Sequence, residues 1–356
     1  MKIIAIGEID RTTWNDVVLS SPDGWVFSLY EWQELILPVE RWGLQERSFG
    51  VERDGRIVAV VPLQYSNTWK VTASSGWGGS GPVLVPGLSR DEENAVLCEV
   101  IKQICASARH DHAERISMSI SPITKRSLTN RTGVSPTYKF GFAETSTDAM
   151  VVDLSQTEDQ LWLGLSQIAR RKIRKAKSEG YSAELLDWVK NIDPYYDIHC
   201  ETYFRTGVEP HPKAYFEGMA LKISPLGFNF LLGGKAPNGS VVAFHNSAKM
   251  PHSAVYHTGC SRTAHQNSGV NYLLFWEAML QAKRLGCEWY EVGEIFSGST
   301  DKKSRGLTEI KTKFGGVPRR YFKGHTERLE PFFLFDEKYD SQTFEEYAFI
   351  DDDQFR

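Results

Sequence analysis

Cysteine is scarce in this chain, with Cys98, Cys105, Cys200, Cys260 and Cys287 the only five in 356 residues. They are odd in number, scattered, and never paired as Cys-x-x-Cys. That argues against a disulfide framework and for reduced thiols in a cytoplasmic setting. Long apolar runs are missing too: nothing approaches the ~18–20 consecutive apolar residues of a membrane span. Nor is there a surplus of one charge. Forty-one Lys and Arg stand against 45 Asp and Glu, a net charge of −4, which argues against a DNA-coating protein but leaves room for a local basic surface. The opening run Met1–Glu8 is short, ends on an acid and lacks a cleavage site, so it reads as a β-strand and not as a secretory signal. No His, Cys or carboxylate spacing is diagnostic of a metal.

What is present is ordinary globular composition, 41% apolar and 24% charged. At roughly 100–200 residues per domain the length suggests two domains. Strand-like β-branched runs alternate with helical periodicity, which points to an α/β or α+β fold. Gln45–Arg53 and Arg56–Ser66 flank the turn pair Asp54-Gly55 and read as a hairpin. Asp91–His110 reads as an amphipathic helix and Arg115–Ile120 as a strand. The second half repeats this order: strands over 228–235, 240–250 and 252–261, a helix over 269–285 and a strand over 287–292. Gly55-Arg56-Ile57-Val58-Ala59 also lines up with Gly239-Ser240-Val241-Val242-Ala243, which favours duplication. The boundaries drawn are 1–148, 149–330 and an acidic tail over 331–356.

Several segments can carry chemistry. Gln266-Asn267-Ser268-Gly269-Val270-Asn271 is a small-residue turn opening a helix, where backbone N–H groups can face an anion; an ordinary N-cap by Asn267 or Ser268 is the alternative. In the helix that follows, Glu277 and Gln281 fall within the apolar stripe and need partners. Arg170-Arg171-Lys172-Ile173-Arg174-Lys175-Ala176 is a basic helix whose Arg171 and Arg174 suit phosphates, or form a plain solvated face. Trp289-Tyr290-Glu291-Val292-Gly293-Glu294 is followed by a polar loop and then by Gly306-Leu307-Thr308-Glu309-Ile310-Lys311-Thr312-Lys313-Phe314-Gly315-Gly316.

That last combination resembles the end of the Fem-type (FemAB) peptidyltransferase family, Tyr-Asp-x-Gly-Gly then Gly-Leu-x-x-Phe-Lys-x-x-Phe-Gly. Gly306, Leu307, Lys311, Phe314 and Gly315 are in register. Glu291 replaces the Asp, Glu294 the second Gly and Ile310 the first Phe. The basic helix and Asn271-Tyr272-Leu273-Leu274-Phe275-Trp276-Glu277 extend the likeness through the second half. The 266–271 turn is similar to the coenzyme A pyrophosphate turn of GNAT acetyltransferases at Gln266 and Gly269, with Asn271 where that pattern has a smaller residue.

The resemblance implies two tandem GNAT-like domains, each a mixed, mostly antiparallel sheet flanked by helices. It implies an acyl or aminoacyl transfer onto an amine of a cell-envelope precursor, a peptidoglycan peptide or a polysaccharide amino sugar, lipid-linked or small. The donor would be aminoacyl-tRNA or acyl-CoA, with no tightly bound cofactor. An acyl-CoA-dependent N-acyltransferase is the close alternative, and a non-catalytic binding protein on the same scaffold is another. The helical coiled-coil arm of some family members is missing here, which excludes tRNA docking through such an arm. Lys311 would neutralise the developing oxyanion, an effect of about 3–4 kcal/mol; otherwise it is a solvent-facing lysine paired with Glu309 or Glu327. Glu291 and Glu294 are candidates for the base, since two close carboxylates push one pKa upward. His245, His252 and His257 compete for that role. Trp77, in the Gly-rich stretch 74–81, is a candidate stacking face for the acceptor.

Overall fold

The computed structural model describes residues 1–130 and 133–334; most of the acidic tail lies outside them. A four-stranded sheet runs Lys2–Ala5, Phe49–Arg53, Arg56–Val61, Val83–Leu84. A twelve-stranded sheet spans the rest of the molecule. Its order is Ser182–Leu186, Asn229–Lys235, Val241–Lys249, Ser253–Ser261, Trp289–Ile295, Thr147–Asp153, Val317–Thr326, Arg115–Ile120, Val71–Ser74, Gln64–Ser66 and Leu44–Glu46. The short strand Ala143–Glu144 pairs onto Val317–Thr326.

Two of the pairings are parallel, and they follow one plan. Val71–Ser74 and Arg115–Ile120 are joined through the helix Arg90–His110, and Ser253–Ser261 and Trp289–Ile295 through the helix Val270–Arg284. Parallel strands need such a crossover, so the same β-helix-β unit occurs once in each half. The first helix starts where the sequence directs it: Ser89 and Glu92 form a reciprocal capping box. The basic helix, Gln167–Ser178, is capped by Ser166.

Three features differ from the periodicity. The Asp54-Gly55 turn forms, with both residues at positive φ, but neither arm of its hairpin is continuous. Each arm breaks and changes sheets, at Arg47-Ser48 and Pro62-Leu63, because Pro62 has no N–H to give and the Ser48 hydroxyl takes the Leu63 N–H at 2.9 Å. In the basic helix Ile168 is exposed and Ile173 is buried. Leu285, read as the last residue of the later helix, caps it and is exposed too, while Phe275 and Trp276 are buried. Glu277 finds its partner in Lys177, at 3.1 Å.

The boundary at 148 falls just inside the strand Thr147–Asp153. The ten-residue strand Val317–Thr326 then joins the halves. Val317–Tyr321 pair with 147–151, and Phe322–Thr326 pair with 116–120. The chain enters that strand through Gly315 and Gly316, both at φ +82°, and any Cβ on Gly316 would overlap the Val151 carbonyl. Gly239 has a similar φ of +84° but open space around it. Gly239→Ala should therefore cost only the left-handed strain of about 1–2 kcal/mol. Gly316→Ala should cost ~1–3 kcal/mol more, from the overlap. Urea unfolding of the two variants measures the difference, and equal losses would contradict this account.

Candidate functional site

The parallel strands Ser253–Ser261 and Trp289–Ile295 pair at only three positions, Ser253 with Trp289 through Val255 with Glu291. Beyond these they part, and a cavity of about 560 Å³ lies between them and the first half. Each of the two strands carries an irregularity at this point. Opposite Thr147–Asp153, Met150 faces Gly293 while Val151 faces Glu291, so Val292 is an extra residue. Opposite Val241–Lys249, Asn246 faces Thr258 while Ser247 faces Tyr256, so His257 is extra.

The bulges matter because strand side chains alternate between faces. Glu291 and Glu294, three apart, would point to opposite faces of a regular strand. The extra residue restores their parity, and both line the cavity together with Gly293. The same device brings Tyr256 and the adjacent His257 to its wall.

Lys311, the last residue of the helix Lys302–Lys311, enters the cavity across Gly293. A Cβ on Gly293 would sit 2.9 Å from its Nζ, so glycine lets the ammonium approach. Lys311 donates to the Glu294 carbonyl at 2.7 Å, which leaves two N–H groups for other partners. The pairing with Glu309 considered for it belongs to Lys313 instead, at 2.7 Å. Phe314 is buried and stacks on Phe275 at 4.4 Å, anchoring this end of the motif.

Burial pushes the Glu291 carboxyl up to about 7, and the neighbouring Glu294 adds to the rise while Lys311 and Lys323 oppose it. Burial lowers the Lys311 ammonium, with Glu291 and Glu294 pulling it back up. Glu294 is held by Lys323, at 2.5 Å. The histidines stand differently. His257 is pushed down to about 3 by burial, and its Nε2 shares a 2.7 Å hydrogen bond with Tyr215. His245 is likewise pushed to about 3 and is bonded to Tyr290 in the core. His252, also lowered by burial, does not line the cavity. A neutral imidazole with so low a pKa is a weak base at pH 7.

Trp77 lines the cavity, but one face of its indole is covered: Tyr215 stacks on it at 4.9 Å, with the rings 1° from parallel. The remaining candidates lie elsewhere. Gln266, Gly269, Asn271, Arg171 and Arg174 are not in the cavity wall. Gly269, at φ +90°, is a packing glycine whose Cβ would overlap the Lys172 carbonyl. Ser268 takes the Val270 N–H at 3.1 Å, and Asn271 donates to Ser261 at 3.1 Å. Arg174 lies over the Trp162 ring, while Arg171 has no side-chain partner among the described residues.

The periodicity did not single out Lys323, Tyr321, His325 and Arg115, which also line the cavity. Their signal was available. Arg319, Tyr321, Lys323 and His325 alternate with Pro318, Arg320, Phe322 and Gly324, so one face of that strand is polar throughout.

Residues 165–303 match the acetyltransferase (GNAT) domain family. No curated protein sequence matches the chain. Among solved structures it is similar to FemX, at 16% identity and a TM-score of 0.66, over 90% of this chain and 97% of that one. It is also similar to the C-terminal domain of a putative lysylphosphatidylglycerol synthetase from Agrobacterium fabrum, at 13% identity and TM-score 0.56, over 88% and 90% of the two chains. A tandem GNAT protein from the clavulanic acid biosynthesis pathway matches at 12% identity and TM-score 0.53, over 91% and 98%. At such identities these are likenesses of fold. Together with the domain match and the twice-used β-helix-β unit, they place the fold: residues 165–303 form a GNAT-type domain, and the chain as a whole has a tandem GNAT fold like that of FemX.

Proposed function

We propose that the chain is an acyltransferase that forms an amide in the cavity between its halves, with Glu291 as general base and Lys311 as the oxyanion-stabilising cation. One observation carries this reading: a buried carboxyl with a pKa near 7 stands beside a desolvated ammonium at the point where two parallel strands part. A base is most effective when its pKa lies near the working pH. In the reaction the acceptor amine attacks the donor carbonyl and gives its proton to Glu291. The oxyanion that forms is stabilised by Lys311, whose ammonium the Glu294 carbonyl fixes in place. When the intermediate collapses, the C–O or C–S bond breaks and the leaving group takes the proton from Glu291. The adjacent Glu294 is engaged by Lys323 and serves as a positioning residue.

The donor we favour is an aminoacyl ester of tRNA, and the acceptor an amine of a cell-envelope precursor in the cytoplasm. The similarity in fold to FemX and to a lysylphosphatidylglycerol synthetase domain supports this. A second reading, an acyl-CoA donor, is favoured by the parted strands. Past Val255 one edge of Ser253–Ser261 faces no partner strand among the described residues, and an amide-bearing donor arm can add along such an edge. The 266–271 turn and the Arg171/Arg174 face remain the donor-phosphate candidates in either case.

Incubation with labelled aminoacyl-tRNA and with acetyl-CoA, against peptide and amino-sugar acceptors, separates the two donors; failure of both with every acceptor would refute the reading. With a working assay, kcat/KM should rise with pH through about 7, as Glu291 ionises. Glu291→Gln should lower it about 10²–10⁴-fold and remove that limb of the profile. An unchanged pH profile would mean that another group is the base. Lys311→Ala should lower kcat about 10²–10³-fold with a smaller change in KM; a loss confined to KM would assign Lys311 to binding.

A further inference from the structure

We propose that Arg115, Ser117 and His325 form a subsite for an anionic group, a carboxylate or a phosphate, carried by the acceptor at a distance from its reacting amine. The proposal deepens the acyltransferase reading and rests on it for the identity of the amine.

The argument begins with register. Arg115–Ile120 runs antiparallel to Val317–Thr326, with His325 opposite Ser117 and Lys323 opposite Ser119. Alternation puts Arg115, Ser117 and Ser119 on one face of their strand, and Lys323 and His325 on the same face of theirs. All five line the cavity. This wall comes from the first half and from the strand shared by both halves.

Charge then distinguishes its members. Lys323 is neutralised by Glu294, and Lys311 faces Glu291. Ser119 accepts the Gly76 N–H at 3.1 Å. The side chains of Arg115, Ser117 and His325 make no hydrogen bond or ion pair among the described residues. Two carboxylates and two ammoniums cancel at one end of the cavity, and a guanidinium is left uncompensated at the other. A guanidinium presents a fork of N–H donors that matches a carboxylate or a phosphate.

Spacing sets the kind of acceptor. From the strand of Glu291 to that of Arg115 there are three strand intervals, or ~14 Å at ~4.8 Å each. A free α-amino acid, whose amine and carboxylate are separated by a single carbon, cannot reach both ends. An elongated acceptor can, with its amine on one arm and its anion on another part of the molecule.

The test titrates the full-length protein calorimetrically with inorganic phosphate and, separately, with acetate. Saturable binding of either anion is expected, and the tighter one identifies the group. Arg115→Ala should weaken it about tenfold or more, and His325→Ala less. Lys102→Ala, which removes an exposed cation outside the cavity, should change it less than twofold. Binding that is equal in Arg115→Ala, an equal loss in Lys102→Ala, or no saturable binding of either anion would overturn the proposal. Glu291→Gln keeps the two readings apart: it should lose turnover yet bind the anion within about twofold of the parent. If Glu291→Gln kept full turnover, the assignment of the base would fall while the titration still decided the subsite.

Discussion

Everything in this molecule depends on one strand being shared. Val317–Thr326 completes the sheet of the second half with its first five residues and that of the first half with its last five. Backbone hydrogen bonds thus run without interruption from Ser182–Leu186 to Leu44–Glu46. The two β-helix-β units are held in one orientation by main-chain geometry, not only by side-chain packing. The cavity between them is a fixed feature of the sheet, and large rotations of one half against the other would break ladder hydrogen bonds. Two consecutive glycines make this possible, because only they allow the chain to enter the strand past the Val151 carbonyl.

Within that frame the chemistry follows from opposed electrostatic pressures. Burial raises the Glu291 carboxyl and lowers the Lys311 ammonium, so the proton affinities of a carboxylate and an amine are drawn towards each other. The histidines that compete for the proton are pushed the other way, out of the useful range, and are tied to tyrosines. The aromatic side of the cavity, where Trp77 stacks on Tyr215, joins residues from both halves of the chain. It also holds His257 in its neutral form.

Much of this was legible in the sequence, and the reasons are local. The Asp54-Gly55 turn, the capped helix Arg90–His110, the strand Arg115–Ile120 and the strands of the second half are each specified within a few residues, by turn chemistry, capping and periodicity. Lys311, Glu291 and Glu294, from the family-like motif, and Trp77, from the Gly-rich stretch, line one cavity together with His257. What could not be read is non-local. The sharing of Val317–Thr326, the switch of both hairpin arms between sheets, and the role of Lys323 as partner of Glu294 all arise from pairings across the chain. Gly269 and Asn271 carry two readings at once. A turn that looks shaped for a phosphate also has a packing explanation, since Gly269 is needed against Lys172 whatever the ligand.

The bulge at Val292 has a consequence for how such a site can be gained or lost. Parity in a strand is binary, so a one-residue insertion between Glu291 and Glu294 that kept the bulge would change their relative parity while leaving the strand's hydrogen-bonding capacity and hydrophobic content nearly intact. One of the two acids would then turn to the opposite side of the sheet. A scaffold of this kind can shed its reactivity through a single codon without unfolding, and an inert descendant would be hard to tell from an active one by composition alone.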